Sequence, residues 1–420
     1  MIKRARPQLP LSTGLIAIAV ALTACTGKFQ AVPTSPPAVR TPEFATLMTK
    51  VALAPWRGGN SVRTLENGNG YFPPMLSAIR NARKTITFET FVYKRGRVGR
   101  EFSVAFAEAA RRGVKVHVLL DANGSRWVDK DDIALMKAEG VEFFLFRPLR
   151  LFKLARYNYR THRKIMVVDG TLAYTGGAGY TDVWVGNAQS PYNWRDTQYE
   201  IRGPVVRQLQ EGFTMNWKEV SGHTLRGPDY FPPLSSAGNQ LAQFSIGDPD
   251  TRGDTLGSSF LLAINAARKS ILIEHAYFIP HRHLVDALVR ARQRGVHIEI
   301  IVCGEHTDFK VCRIAQRPAL LELTRAAAEI WEYTPTMMHG KLIVVDDHLS
   351  IVGSANFDDR SFFLNDEANL HVLSASFAHD QRQMFERDRK HCKLLTTDDL
   401  KFHLYQLPLH LGAQAIKGQL

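Results

Sequence analysis

The chain has 420 residues, of which 45% are hydrophobic and 22% are charged, as is ordinary for a globular protein long enough to form two domains. Its formal net charge of +13 favours an anionic partner, such as a phospholipid surface, a nucleic acid or a phosphorylated small molecule, although a generally basic surface would give the same count. The four cysteines, Cys25, Cys303, Cys312 and Cys392, include no Cys-x-x-Cys pair, which argues against a structural zinc site.

The first 25 residues have the pattern of a lipoprotein signal peptide. Three basic residues precede an apolar run over residues 14–22, which is too short to favour a membrane-spanning helix. The run leads into Leu-Thr-Ala-Cys, ending at Cys25, which resembles the lipobox of bacterial lipoproteins. We therefore expect Cys25 to be lipidated and to anchor the protein in the bacterial cell envelope, facing the periplasm, and Thr26 favours the outer membrane by the same resemblance. The alternative is an uncleaved anchor with an incidental cysteine.

The rest of the chain divides into a linker and two domains. Residues 26–60 begin rich in proline, threonine and serine and are predicted to be a tether without a fold of its own. The domains are predicted at residues 61–235 and 236–420, with the boundary where proline, serine and glycine cluster. Within the first domain, a strand over 85–93, an amphipathic helix over 100–112 and a strand over 114–120 predict a parallel α/β unit.

The second half of the chain repeats the first. Ala-Arg-Lys-Thr-Ile at residues 82–86 returns as Ala-Arg-Lys-Ser-Ile at residues 267–271, and Glu89 returns as Glu274. The spacing between the copies drifts slowly along the chain, as loop insertions would make it drift. We therefore predict two α/β layered domains related by internal duplication. The repeated glutamates are weaker candidates for the wall of a site.

Each half carries one His-x-Lys-x-x-x-x-Asp motif at the start of a predicted strand. Residues i and i+2 of a strand face the same side, so the imidazole and the ammonium of each motif point at one ligand. Two such sets in one chain predict a single site built from two half-sites. The six residues are His162, Lys164 and Asp169 in the first half and His339, Lys341 and Asp346 in the second.

These residue types supply what the cleavage of a phosphodiester requires. One neutral imidazole can attack phosphorus and form a phosphohistidine, while the other protonates the departing alcohol and later accepts a proton from the incoming one. The two lysines supply fixed positive charge for the phosphoryl oxygens. No metal or cofactor is expected, since the lysines would repel a cation and no carboxylates cluster with the histidines. The near symmetry of the motifs leaves open which histidine is the nucleophile.

The motifs and the segments after them resemble the phospholipase D superfamily, and most closely its bacterial cardiolipin synthase branch. The resemblance covers about residues 70–400. It implies two tandem phospholipase D-like α/β/α sandwich domains with a single active site at their interface, with His162 as the nucleophile and His339 as the general acid. The segments that carry it after the motifs are Trp194-Arg195-Asp196-Thr197, Gly353-Ser354-Ala355-Asn356 and Asn365-Asp366-Glu367-Ala368-Asn369.

Residues other than the motif histidines and lysines also have expected roles. Asp196 and Glu367 occupy matching places downstream of their motifs, and we expect each to orient a catalytic imidazole; ordinary surface charge is the alternative. Asn356 is expected to donate to the substrate phosphate, and its counterpart Gly179 leaves the first half-site without that amide. The two motif aspartates end strands, so we expect them to organise the lysine and the turn rather than touch substrate.

The resemblance implies a membrane-associated phosphatidyltransferase that joins two molecules of phosphatidylglycerol and releases glycerol. The alternatives are a phospholipase D, in which water is the acceptor, a nuclease-type phosphodiesterase, and a non-enzymatic lipid-binding protein, against which the intact motifs argue. Basic and aromatic residues alternate over 143–163, which suits an anionic phospholipid at a membrane surface, single-stranded nucleic acid, or a solvated loop. The predicted acyl anchor favours the phospholipid, and nucleic acid is the less favoured partner.

Overall fold

A computed structural model describes residues 27–149, 154–250 and 254–401. The predicted signal peptide, with Cys25, lies outside the described residues. In the described ranges, no helix is both long and apolar enough to cross a membrane.

The described residues form strands β1–β17 and helices α1–α12, numbered in chain order. The strands are Arg57–Glu66, Thr85–Thr90, Lys115–Asp121, Glu142–Phe146, Ile165–Val168, Leu172–Gly176, Thr197–Arg202, Gln240–Gly247, Ser270–His275, Phe278–Ile279, His297–Cys303, Glu329–Tyr333, Lys341–Val345, Leu349–Gly353, Phe357–Asp358, Glu367–Leu373 and Cys392–Leu394. The helices are Pro42–Ala52, Asn67–Asn81, Arg97–Arg111, Lys130–Ala138, Leu154–Tyr157, Val206–Ser221, Leu256–Ala266, Arg282–Gln293, Lys310–Arg325, Asp359–Phe363, Ala375–Arg389 and Thr397–Leu400.

In the described part of the chain, fifteen strands form one continuous sheet in the order β17-β12-β11-β9-β13-β14-β16-β8-β1-β7-β6-β5-β2-β3-β4. The two halves meet where β1 pairs with β8 in antiparallel fashion. Outward from that pair, the order β1-β7-β6-β5-β2-β3-β4 is repeated as β8-β16-β14-β13-β9-β11-β12. In both halves three outer strands are parallel and the motif strands are antiparallel. The predicted duplication of an α/β domain is therefore confirmed.

Helices cover both faces of the sheet. The predicted apolar face of α3 is buried, with Phe102, Ala105, Phe106 and Ala109 packed in the core of the first half. A second core joins the halves, because it contains residues of the motif strands β5 and β13 together with residues of α6 and α11. This shared core fixes the position of one motif relative to the other.

The motif strands end in tight hairpin turns. Asp169 and Gly170 have φ angles of 52° and 64°, and Asp346 and Asp347 have φ angles of 52° and 50°. Two successive left-handed residues are the geometry of a two-residue hairpin loop, which Asp-Gly favours because both residues tolerate positive φ. The aspartate of each motif therefore lies in the turn, at the end of the strand away from the histidine.

The prediction of a tether over residues 26–60 is wrong for the described residues 27–60. Residues 27–52, here named the N-terminal arm, pack against the second half: Gln30 Nε2 donates to Asp254 O at 2.9 Å, and Arg268 Nη2 donates to Pro36 O at 2.5 Å. The arm ends in α1, which buries Phe44 and Met48. The arm folds because apolar side chains at helical spacing follow a Thr-Pro start signal, and they outweigh the linker-like composition before them.

The sheet also begins earlier than predicted, since β1 starts at Arg57. The predicted domain boundary at residues 235 and 236 falls between the end of α6 at Ser221 and the start of β8 at Gln240.

Candidate active site

A cleft of about 450 Å³ brings the two motifs together. His162 and Lys164 line it from the first half, and His339 and Asn356 line it from the second. The histidines are 9% and 6% exposed, so each is almost enclosed by protein but still faces the cleft. The predicted half-sites thus form one site.

Each histidine is held by a carboxylate from the opposite half of the chain. His162 Nδ1 lies 2.7 Å from Oε1 of Glu367, at the start of β16, and His339 Nδ1 lies 2.7 Å from Oδ2 of Asp196, just before β7. Both carboxylates are fully buried, which excludes the surface-charge alternative. The crossing means that neither half contains a complete histidine–carboxylate pair by itself.

Hydrogen-bond donors keep both carboxylates ionised. Ser354 Oγ and Ser361 Oγ donate to Glu367 at 2.5 and 2.8 Å, and Trp184 Nε1 donates to Asp196 at 2.9 Å. Burial opposes ionisation of Glu367, but His162, Lys164 and the hydrogen bond from Ser354 together outweigh it, and the pKa of Glu367 lies below its ordinary value. Burial of Asp196 is likewise outweighed by His339, Lys341 and the backbone N–H of Thr197, which together lower the pKa of Asp196.

Burial favours the neutral form of both imidazoles. Burial lowers the pKa of His162 to about 4, and Glu367 offsets this only in part. Burial, reinforced by Lys341, likewise lowers the pKa of His339. A neutral imidazole beside an ionised carboxylate carries its proton on Nδ1, so Nε2 of His162 is left with a lone pair available to a reacting atom.

The two lysines place positive charge beside the histidines. Lys164 Nζ donates to the carbonyl oxygen of His162 at 2.8 Å, and Lys341 Nζ donates to that of His339 at 2.6 Å. Lys341 Nζ also lies 3.1 Å from Nδ1 of the His339 ring. Burial lowers the pKa of Lys164 to about 7 and also lowers the pKa of Lys341. Lys164 lines the described cleft, whereas Lys341 lies behind His339 and is not among the described lining residues. A buried cation is stabilised when an anion such as a phosphodiester binds near it.

Asn356 makes the two half-sites unequal. It lines the cleft, and its Oδ1 is buried with no hydrogen-bond partner among the described residues. At its counterpart Gly179, a Cβ would lie 2.8 Å from Cβ of Val92 and 2.9 Å from Cζ3 of Trp184. The indole of Trp184 fills the place that an asparagine side chain would take in the first half.

Aromatic side chains surround His339 and were not predicted. The rings of Trp184, Trp194 and Tyr277 lie 5.4, 5.5 and 6.0 Å from the imidazole of His339. One aromatic contact of this kind, with Phe91 at 5.0 Å, is found at His162 in the described structure. The sequence offered one signal, because two of the six tryptophans fall within the twelve residues before Asp196.

The motif aspartates are not among the described residues that line the cleft, which agrees with the expectation that they do not touch substrate and separates them from the histidines of the predicted catalytic sets. The Asp169 carboxylate accepts the backbone N–H groups of Arg83, Lys84 and Thr85, the shortest at 2.7 Å. Asp346 does the same for residues 268–270. Each aspartate lies five residues from its lysine along an extended segment, roughly 16 Å away. The aspartates hold the hairpin turn against the start of β2 or β9, as expected for the turn but not for the lysine.

The repeated glutamates also lie outside the site. Glu89 accepts hydrogen bonds from Thr161 Oγ1, in the residue before His162, at 2.5 Å and from Asn216 Nδ2 at 2.7 Å. Both carboxyl oxygens of Glu274 are buried with no hydrogen-bond partner among the described residues, and burial raises its pKa to about 8. Neither glutamate is among the described residues that line the cleft.

Two arginines of the basic stretch over residues 143–163 have buried side chains that are paired within the protein. Arg147 pairs with Glu219 at 2.9 Å, and Arg163 donates to the carbonyl oxygen of Gly247 at 2.9 Å. Arg160 lines the cleft. Residues 150–153 lie outside the described residues. Arg147 and Arg163, which have protein partners, are therefore not available to hold lipid headgroups.

The sequence is similar to known proteins over most of its length. The family model for the cardiolipin synthase, phospholipase D-like domain, matches residues 75–213 and 260–389. The chain is 32% identical over 352 residues to the cardiolipin synthase of Geobacillus kaustophilus, covering 83% of this chain and 70% of that protein. It is 34% identical over 334 residues to the major cardiolipin synthase of Bacillus subtilis, covering 78% of this chain and 69% of that protein.

Among solved structures, the phosphatidylserine synthase of Haemophilus influenzae has the same fold. It superposes with a TM-score of 0.67 over 90% of this chain and 100% of that chain, at 14% identity. The likeness shows the fold, and the family model matches both halves, which confirms the predicted architecture of two phospholipase D-like domains. The family match and the identity to these relatives place the chain in the cardiolipin synthase family, whose members are phospholipase D-like enzymes.

Proposed function

We propose that this enzyme, a phosphatidyltransferase of the cardiolipin synthase type, transfers the phosphatidyl group of one phosphatidylglycerol to a second and releases glycerol. The observation that carries the chemistry is the pair of buried imidazoles in one cleft, each held by a carboxylate of the opposite half and flanked by a lysine. The names of the relatives support the choice of lipid product.

In the first step, Nε2 of His162 attacks phosphorus and the bond from phosphorus to the glycerol oxygen breaks. His339 gives its proton to that oxygen, so glycerol leaves as a neutral alcohol. Lys164, Lys341 and Asn356 stabilise the charge on the non-bridging oxygens. Glu367 balances the positive charge that the imidazole of His162 acquires.

The aromatic surroundings of His339 support this division of roles. The general acid must hold a proton when substrate is bound, and the faces of aromatic rings stabilise a cation. Trp184, Trp194 and Tyr277 surround His339, while Phe91 alone contacts His162 in this way among the described residues. The negative charge of a bound phosphodiester favours the protonated form further.

In the second step, a hydroxyl group of the second phosphatidylglycerol gives its proton to His339 and its oxygen attacks phosphorus. The bond from phosphorus to Nε2 of His162 breaks, and cardiolipin is released. Water attacking in the same way would give phosphatidic acid, the product of a phospholipase D. The outcome depends on how well water is excluded from the cleft.

The reaction is tested with purified protein and vesicles of phosphatidylglycerol. We expect cardiolipin and glycerol in equal amounts, with no loss of rate on adding a chelator. Phosphatidic acid as the sole lipid product would show a hydrolase instead. Cleavage of DNA or RNA without lipid turnover would overturn both.

The roles of the histidines are tested with a phosphatidyl substrate whose leaving group is a nitrophenol, which departs without a proton. His339→Asn should then release up to one equivalent of nitrophenolate per enzyme and stop at the phosphohistidine. His162→Asn should release none. The opposite pattern would exchange the roles of the two histidines.

We also propose that the enzyme works at a membrane to which Cys25 attaches it, on the periplasmic side of the cell envelope and in the outer membrane. The lipobox-like sequence before Cys25 supports this location. In a bacterial host, Cys25→Ala should move the full-length protein from the membrane fraction to the soluble periplasmic fraction. Unchanged tight association would contradict the proposal.

A further inference from the structure

Three aromatic side chains are exposed in the described part of the chain. Tyr192 is 82% exposed, Trp127 is 62% exposed and Phe309 is 49% exposed, although burying such side chains is favourable. All other described phenylalanine, tyrosine and tryptophan side chains are at least partly covered. Exposed aromatic residues that share one location mark an interaction surface.

The three residues lie beside the catalytic cleft. Phe309 lines the cleft itself, and Tyr192 is two residues from Trp194, which also lines it. The carbonyl oxygen of Trp127 accepts the backbone N–H of Arg95 at 2.9 Å, next to Lys94 in the cleft wall. We name this set of three residues (Trp127, Tyr192 and Phe309) the aromatic rim.

Cationic side chains without acidic partners accompany the rim. Lys94, Arg95 and Arg126 take part in no ion pair among the described residues, whereas many exposed arginines elsewhere do, such as Arg63 with Glu200. The guanidinium of Arg126 lies 5.5 Å from the ring centroid of Trp127. Tryptophan and tyrosine next to unpaired lysine and arginine match the interface of a bilayer, where rings sit at headgroup level and cations meet anionic lipid.

We propose that the aromatic rim docks the cleft onto the surface of a phospholipid bilayer that contains anionic lipid. This rests on the proposed function, because the substrate is then a bilayer lipid whose phosphate must reach His162. Pockets of a few hundred Å³ hold drug-sized ligands, and the cleft of about 450 Å³ belongs to this class. It therefore takes the headgroup and phosphate and leaves the acyl chains outside. Docking lets those chains stay in the bilayer while the phosphate enters.

The test compares two double variants of the full-length protein, both with Cys25→Ala so that an acyl anchor does not dominate binding. Trp127→Ala with Tyr192→Ala removes two rim residues that do not line the cleft. Leu53→Ala with Leu394→Ala is the matched control, because these leucines are 49% and 45% exposed and also lie outside the cleft wall. Co-sedimentation measures binding to vesicles of phosphatidylglycerol in phosphatidylcholine.

We expect the rim variant to bind these vesicles at least about tenfold more weakly than the control, which should bind like the Cys25→Ala parent. Its turnover of a short-chain phosphatidylglycerol, dissolved as monomers, should match the parent. Equal binding of the two double variants would overturn the proposal. A loss of turnover on the monomer would also overturn it, because the residues would then act inside the site.

Two further outcomes separate the proposal from its alternatives. If the parent turned over neither vesicles nor monomers, the proposed function would fail, and the binding measurement would still decide on the rim. If the rim variant changed the oligomeric state in sedimentation, the rim would be a contact between copies of the chain and not a membrane surface. Binding of the parent to pure phosphatidylcholine as tight as to the mixture would refute the part assigned to Lys94, Arg95 and Arg126.

Discussion

Glu367→Gln removes the negative charge that faces His162 while leaving the shape of the side chain nearly unchanged. In the native protein, Oε1 of Glu367 lies 2.7 Å from Nδ1 of His162, and two serine hydroxyls donate to the same carboxylate. A glutamine can still accept the Nδ1 proton through its amide oxygen. It cannot balance the positive charge that the imidazole gains when Nε2 bonds to phosphorus.

The size of the effect follows from the loss of one charged hydrogen bond. Such a bond contributes about 1.5–3 kcal/mol. At about 1.4 kcal/mol for each factor of ten, this corresponds to a fall of about 10- to 150-fold in the rate of the first step. The rate is measured as nitrophenolate release in a single turnover, because this step does not need the general acid.

Glu274→Gln is the matched control. Glu274 is buried to the same extent, and it lies outside the described cleft wall. We expect its single-turnover rate to stay within about twofold of the native rate. An undiminished rate for Glu367→Gln, or an equal fall for Glu274→Gln, would refute the idea that Glu367 supports the charge on His162.

Three further predictions concern pH and stability. We expect kcat/KM to fall as the pH drops through about 4, where His162 becomes protonated, and to fall on the alkaline side as His339 loses the proton of the general acid and, at about 7, Lys164 loses its charge; a flat profile over this range would contradict these assignments. Asp169→Asn should lower the free energy of unfolding by about 1–3 kcal/mol in denaturant titrations. It should leave kcat of the folded protein nearly unchanged, and a loss of kcat without a loss of stability would return Asp169 to the catalytic group. The pKa of Glu274 is raised in the folded state, to about 8 from an ordinary value of 4.5, so its neutral form stabilises the fold at low pH and this contribution is lost as the pH rises through about 8. Melting curves should therefore show Glu274→Gln gaining stability over the native protein between pH 5 and pH 9, and a constant difference would exclude this.

The sequence was informative wherever a residue type and a repeated position coincided. His162 and His339 could be assigned to one site because the same spacing recurs in both halves. The same repeat also identified Asp196 and Glu367 as equivalent residues. The repeat does not show which histidine each carboxylate faces, because equivalent positions in the two halves are compatible with a pair inside one half or with a pair across the interface. The crossed arrangement depends on how the two halves of the sheet join at β1 and β8.

Two features escaped prediction because their signals are tertiary. Trp184 and Trp194 lie before Asp196 in a segment with little regular structure, so no periodicity marks them as neighbours of His339. The composition of the N-terminal arm predicts a tether because proline and serine are typical of linkers. Its helix buries Phe44 against the second half, and a contact between such distant segments is not visible in local composition.

The N-terminal arm determines where on the enzyme an acylated Cys25 would attach the protein to the membrane. Gly27 lies against Phe363, since a Cβ on Gly27 would be 2.1 Å from its ring. Phe363 belongs to the short helix α10, which also carries Arg360 of the cleft wall. One residue, Thr26, separates Cys25 from Gly27, so the two Cα atoms are at most about 7 Å apart along an extended chain. An enzyme whose cleft lies this close to its acylated cysteine would act in cis, on the leaflet that holds its own acyl chains. Vesicles carrying the enzyme, mixed with vesicles that lack it, would then form cardiolipin in the first population alone, and turnover in the second would contradict this mounting.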